Sequence, residues 1–290
     1  MTMKTQLIGL KADDFRHPLD LQATTNLKQL PGLDIAMRGI LGSVAEDFFY
    51  MNNIASSILI SENQLPHLHQ LLLNASSILD IEAPQLYLKQ NPVPNAYTLA
   101  IRGKKPFMVI HTSLLEILTD EEVEAVIAHE LGHLKCEHGV YLTLANLIVL
   151  ATGLLPTWGS ILAQSMQSQL LQWLRCAEFT CDRAALLVAQ DPKIVMSVLM
   201  KLTGGSPSLA SKLNLDAFME QVKDYQQMSN TDIGEMLQDM QTAQLTHPLP
   251  ILRAKAIQNW SSTPEYYNLL EEQKVGYNSE RHAKGGWRNW

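Results

Sequence analysis

An α-rich α+β fold, with a small sheet placed just before one central helix, is what the order of periodicities along this sequence predicts. Three observations carry that prediction. Apolar residues recur at helical spacing over most of the chain, short extended runs are confined to residues 85–111, and the helix after those runs carries His129-Glu130-Leu131-Gly132-His133. With 290 residues, 46% hydrophobic and 18% charged, the chain has ample material for a buried core. By composition it divides into a polar N-terminal extension (1–33), a main domain (34–265) with an uncharged apolar hairpin insert (139–174), and a polar C-terminal tail (266–290).

The extension contains the charged run Lys11-Ala12-Asp13-Asp14-Phe15-Arg16-His17 and ends at Pro31-Gly32. Asp34 to Ser61 then reads as helix. Asn63 to Leu79 reads as a second helix, on which His67 and His69 point to different faces and so make poor chelators. Strands are expected at Gln85–Lys89, Tyr97–Arg102 and Phe107–His111, separated by Asn91-Pro92-Val93-Pro94 and Gly103-Lys104-Lys105. His111 closes the third run and reads as structural.

The next helix is expected from Asp120 to His138. Thr119 is its N-cap, and Asp120, Glu121 and Glu122 suit the positive end of the helix dipole. Val123, Ala125, Val126, Ile127 and Leu131 give it a buried side. Beyond the insert come a helix around Glu178, a helix from Pro192 to Leu202, a break at Gly204-Gly205-Ser206-Pro207-Ser208, and helices at Asn214–Met228 and Asp232–Gln244. The stretch from Gln273 to Trp290 is polar apart from isolated aromatics such as Trp287.

His129 and His133 are four residues apart, so both imidazoles leave one face of the helix and can bind a single Zn²⁺, each at ~2.0 Å. Glu130 between them is the natural general base for a water whose pKa zinc lowers from ~16 to ~7. A buried helix holding these polar groups without a partner would lose ~1–3 kcal/mol for each. The chemistry implied is metal-assisted hydrolysis of an amide with one zinc per chain, and the sheet-then-helix order matches a zincin-like fold. A third ligand is needed, with the fourth position left for water. The three-histidine version is excluded, because Cys136 and Gly139 stand where it requires glycine and histidine. Glu178 and Asp182, also four apart, fit the other common solution. Glu178 can complete the metal triad, and Asp182 can accept the outer N–H of a ligand histidine. Taken alone they read as an ordinary solvated acidic pair; beside the histidine motif the balance reverses.

The segments His129-Glu130-Leu131-Gly132-His133, then Glu178-Phe179-Thr180-Cys181-Asp182-Arg183, then Thr246-His247-Pro248-Leu249-Pro250 with Arg253, resemble the signatures of peptidase family M48. These zinc endopeptidases include the CAAX prenyl proteases and the bacterial heat-shock proteases of membrane quality control. Asn95-Ala96-Tyr97 resembles a fourth signature, and the order is kept from about residue 80 to residue 256. The resemblance implies His129, His133 and Glu178 as zinc ligands and Glu130 as catalytic base. It further implies His247 stabilising the oxyanion, Arg253 bracing the ligand region, and Asn95 and Ala96 on a sheet edge that pairs with a protein or peptide substrate. On spacing alone, His247 reads as a turn residue and Asn95 as part of a Pro-Asn turn.

The expected function is therefore a zinc metalloendopeptidase acting in protein quality control at a membrane surface. A membrane- or partner-binding scaffold that has lost turnover is the alternative, and the intact Glu130 speaks against it. A narrow prenyl-protein processing enzyme is a further rival, disfavoured because the multiple spans such enzymes use are not readable here. Gly139 to Leu174 lacks any charged residue. Its apolar run Val140–Leu155 has 16 residues, reaching ~24 Å as a helix against a hydrocarbon core of ~30 Å. Pro156, Gly159 and an amphipathic return helix follow, so the hairpin meets a membrane surface or a partner, or is buried in the protein's own core. No signal peptide is readable and the three cysteines fit a reducing compartment. The expected location is the cytoplasm, peripheral to the cytoplasmic face of a membrane if the insert meets lipid. Cys136, Cys176 and Cys181 read as packing positions. A net charge of −7 with no basic stripe argues against nucleic acid.

Overall fold

The computed structural model describes residues 4–29, 43–99, 105–139, 157–231, 234 and 247–275. A four-stranded sheet is built from β1 (Ile58–Ile60), β2 (Gln85–Lys89), β3 (Ala96–Leu99) and β4 (Phe107–His111), in spatial order β1-β2-β4-β3. β4 is buried at every position, which suits a central strand whose sequence runs apolar instead of alternating. It pairs parallel with β2 and antiparallel with β3, leaving β3 at one edge with Ala96 opposite Ile110. β1 departs from the expected helix to Ser61: α3 (Ser43–Ser56) stops first, and Ile58–Ile60 pairs antiparallel with β2. Three successive aliphatic residues satisfy their backbone on a sheet better than at a fraying helix end.

Among the described residues the remaining α-helices are α1 (Ala12–Phe15), α2 (Pro18–Lys28), α4 (Pro66–Ile78), α5 (Thr112–Ile117), α6 (Asp120–Lys135), α7 (Thr157–Ala189), α8 (Pro192–Gly204), α9 (Leu215–Ser229), α10 (Pro250–Trp260) and α11 (Pro264–Val275). α6 begins as the sequence demands. Thr119 Oγ1 accepts from the Glu122 amide at 3.4 Å while Glu122 Oε2 accepts from the Thr119 amide at 2.8 Å, a reciprocal cap. It ends before His138, however. Glu137 takes a left-handed φ of 59°, and the amides of Glu137 and His138 turn back to the carbonyls of Leu134 and His133 at 3.1 and 2.9 Å. Those two bonds are the Schellman pattern of helix termination.

α7 packs along α6, with α4, α8 and β3 around the pair. α6 and α7 pack tightly at Gly132, where a Cβ would meet Ala184 Cβ at 2.9 Å and Cys181 Cα at 3.1 Å. The expected return helix of the insert and the Glu178 helix prove to be one element, the 33-residue α7. The apolar run Val140–Leu155, Pro31-Gly32, the tail beyond 275 and, save Gly234, the expected Asp232–Gln244 helix lie outside the described residues. No helix among the described residues is long and apolar enough to cross a membrane.

The N-terminal segment is more than a polar extension. Leu7, Leu10 and Phe15 are buried, while Lys11, Asp13 and Asp14 between them face solvent. The Gln190 side chain holds the Thr5 backbone through two hydrogen bonds of 2.9 and 2.8 Å, and α2 lies along α7. Residues 4–28 thus belong to the packed body, and they reach the functional site.

Candidate metal centre and active-site cleft

Three helices build the site: α6 carries His129, Glu130 and His133, α7 carries Glu178 and Asp182, and α10 carries Arg253. Because α6 and α7 touch at Gly132, the Glu178 carboxylate is brought between the two imidazoles. Its Oε2 lies 3.4 Å from His129 Nε2 and its Oε1 lies 3.3 Å from His133 Nε2. Donor atoms arranged tetrahedrally at ~2.0–2.1 Å from a zinc ion are separated by ~3.3–3.4 Å. The two spacings therefore fit such an ion. Glu178 Oε2 is also buried and accepts no hydrogen bond, although Arg253 Nη1 stands 3.1 Å away.

Charge agrees with the spacing. Burial opposes a charged imidazole at His129, yet the Glu178 carboxylate and the hydrogen bond to Asp182 raise its pKa to about 10. Burial likewise opposes charge on Glu178, but Arg253 and His129 hold its carboxyl well below the usual range. The pocket is built to hold positive charge against an ionised carboxylate. Asp182 Oδ1 lies 3.1 Å from His129 Nδ1, the nitrogen turned away from Glu178. Arg253 grips Asp182 through Nη2 and Nε at 2.6 and 2.8 Å, so one guanidinium braces both carboxylates.

A second donor set overlaps the first, since His129, His133 and Cys181 place one donor atom each within 4.8 Å of one another. With no metal bound, burial, Cys136 and nearby carboxylates push the Cys181 pKa well above the ordinary thiol value, so its proton would have to leave for the sulfur to ligate.

Beside the donors opens a cleft of about 250 Å³. Polar side chains of Asn95, His129, Glu130, His247 and Arg253 line it together with apolar ones of Ala96, Leu114, Val126, Val195, Val198 and Leu202. Glu130 is held at the cleft by Thr98 of β3, whose Oγ1 donates to Glu130 Oε2 at 2.8 Å. Asn95 and Ala96 stand on the β3 side, with the Asn95 carbonyl accepting from the His111 amide at 3.0 Å. His247 is exposed at the mouth, its Nε2 3.6 Å from Glu178 Oε1. His111 is held by its neighbours as expected, with Nδ1 2.8 Å from the Val93 carbonyl oxygen. Every residue singled out from the sequence for the site is therefore in one place.

Thr98, His138 and Asp20 were not among them. Thr98 is one residue of a short strand and carries no signal of its own. His138 lies 3.2 Å from His133, Nδ1 to Nδ1, and 3.1 Å from Asp20 Oδ2 through its Nε2. The Asp20 contact spans 118 residues of sequence, which no local pattern reveals.

Comparison with known proteins accords with this geometry. Residues 62–261 match the model of peptidase family M48. The plastoglobule-localized metallopeptidase 48, chloroplastic, of Arabidopsis thaliana is 57% identical over 262 residues, which cover 90% of this chain and 76% of that protein. Protease HtpX homolog 2 of Methanosarcina acetivorans is 30% identical over 170 residues, 50% of this chain and 58% of its own length. The protease HtpX homolog of Moorella thermoacetica is 25% identical over 179 residues, 53% and 60% respectively. The chain thus spans less than two thirds of these HtpX relatives. No solved structure matches. With the family match running from α4 through α10 and so enclosing the histidine pair, Glu178 and Arg253, this chain belongs to peptidase family M48 and is a metalloprotease.

Proposed function

We propose that this chain is a zinc-dependent endopeptidase in which His129, His133 and Glu178 hold the metal and Glu130 is the general base. The observation that carries the proposal is the pair of 3.3 and 3.4 Å spacings between the Glu178 oxygens and the two Nε2 atoms, with Glu130 in the same cleft. A bound zinc supplies Lewis acidity that brings the pKa of the attacking water from ~16 to ~7. Glu130 takes the proton from that water and returns it to the leaving amine. Thr98 donates to Oε2 of Glu130, and the other carboxylate oxygen takes the proton. An extended polypeptide adds to the β3 edge at Asn95 and Ala96, and apolar side chains seat against Val126 and Val198. His247 at the mouth donates to the developing oxyanion, and Asp182 with Arg253 keeps His129 aimed.

The setting we infer is protein quality control at a lipid or membrane surface. An Arabidopsis relative named for plastoglobule localisation supports it, as do the exposed apolar side chains Leu19 and Leu21 on α2. Flotation of the purified protein with liposomes tests the setting, and a protein left at the bottom of the gradient refutes it.

For the chemistry, Glu130→Gln is expected to keep its zinc while proteolysis falls by at least ~100-fold. Glu178→Ala should lose zinc readily to a chelator, since only two imidazoles remain. Zinc kept by Glu178→Ala but lost by Cys181→Ser would move the third position to the thiol.

A further inference from the structure

We propose that His138 and Asp20 are positioning residues for the metal ligand His133, joined to it in a buried hydrogen-bonded relay. The proposal rests on His133 ligating zinc through Nε2, the nitrogen that faces Glu178 at 3.3 Å. A neutral imidazole bound through Nε2 carries its proton on Nδ1. That nitrogen lies 3.2 Å from His138 Nδ1. Two ring nitrogens can share one hydrogen bond only if one donates and the other accepts, so His138 Nδ1 accepts and its own proton sits on Nε2. This atom points at Asp20 Oδ2, 3.1 Å away. The tautomer of the ligand is thereby tied, through His138, to a carboxylate on α2. Cys181 Sγ, 3.7 Å from His138 Nδ1, is a weak donor and favours the same tautomer.

The relay is built. Asp20 is 0% exposed and His138 1%. Asp20 Oδ2 also accepts from Thr180 Oγ1 at 2.8 Å and Arg16 Nη1 at 3.2 Å, and Oδ1 accepts from Thr24 Oγ1 at 3.0 Å. Trp173 Nε1 in turn donates to Thr24 Oγ1 at 2.8 Å, and the Trp173 ring stands edge-on to His138 at 5.5 Å. His138 is brought to His133 by the Schellman turn, which bonds the two residues through the backbone as well.

The two ligand histidines thus have matched supports. His129 leans on Asp182, held by Arg253, and His133 leans on His138 and Asp20, held by Arg16. The first support lies within the stretch matched by the family model. The second takes Asp20 and Arg16 from outside residues 62–261.

The test is zinc affinity by chelator competition on wild type, Asp20→Asn, His138→Leu and His138→Gln, with a thermal melt of each in excess chelator. Wild type should bind one zinc. His138→Leu and Asp20→Asn should bind ~10–100-fold more weakly, as outer partners of metal ligands typically do when removed. Gln at 138, whose amide can both accept from His133 and donate to Asp20, should recover most of the affinity. The visible bands of the cobalt-loaded proteins should shift for His138→Leu and return toward wild type for His138→Gln. If His138→Leu does not fold, Asp20→Asn decides. Wild-type zinc affinity in the Leu and Asn variants, or a Gln variant no better than Leu, overturns the relay. A wild-type protein that binds no zinc overturns the metal assignment itself, and the relay with it.

Discussion

Replacing Gly132 by alanine puts one methyl group into the tight contact between α6 and α7. The new Cβ would lie 2.9 Å from Ala184 Cβ and 3.1 Å from Cys181 Cα, a backbone atom that cannot swing away. Carbon atoms settle ~3.5–4.0 Å apart, so α7 has to back off by ~0.6–1 Å at that level. Two energies then compete. Overpacking costs ~1–3 kcal/mol, whereas exchanging glycine for alanine inside a helix returns ~1 kcal/mol. Stability without metal should fall by no more than ~2 kcal/mol, a Tm drop of up to about 8 °C. Zinc affinity should suffer more. Glu178 is one turn from Cys181 on the helix that moves, and a shift of that size exceeds the tolerance of ~0.2 Å expected at a metal–ligand distance. Affinity should fall at least ~10-fold, or ~1.4 kcal/mol. Chelator competition measures the affinity, and a melt in excess chelator measures the fold. A variant that binds zinc at wild-type affinity would show that the contact at Gly132 does not set the position of Glu178.

Arg253→Met leaves Glu178 and Asp182 buried without their shared cation. It should cost ~3–5 kcal/mol in urea unfolding under chelator, and less with saturating zinc. Thr98→Val removes the donor to Glu130 while keeping the strand; kcat should drop roughly tenfold with zinc content unchanged, and unaltered kcat would show that Glu130 needs no such support. Glu137→Gly relieves a left-handed backbone at an exposed position. It should raise stability by ~1 kcal/mol, and a lower Tm would mean the Glu137 side chain contributes something the turn does not require.

The site was readable where its parts are local. His129 and His133, or Glu178 and Asp182, are each one helical turn apart, so spacing alone puts them on one face. The cap at Thr119 and the strands β2 and β4 were equally plain, because each follows from a few adjacent residues. What escaped depends on distant partners. β1 is three aliphatic residues that become strand only because β2 offers an edge. The segment before residue 29 reads as polar because charges stand out in it, yet its well-spaced apolar side chains Leu7, Leu10 and Phe15 are buried and help to dock it. The stretch before Glu178 read as a separate return helix because its charge is absent, although charge does not govern helix continuity. His138 and Asp20 form the extreme case, a pair meaningful only after the chain has folded.

The docking of α1 and α2 bears on where this protein can be cut. The family match begins at residue 62. A fragment starting there would keep both histidines, Glu178, Glu130 and Arg253, but the hydrogen bonds that Asp20 now accepts from His138 and Thr180 would fall to water. Arg183 would lose the carbonyls of Phe15 and Arg16 to which it donates. The cavity left by Phe15, Leu7 and Leu10 would open onto the core around α7. A fragment that keeps these contacts therefore has to start before residue 62, where the match to the family model begins.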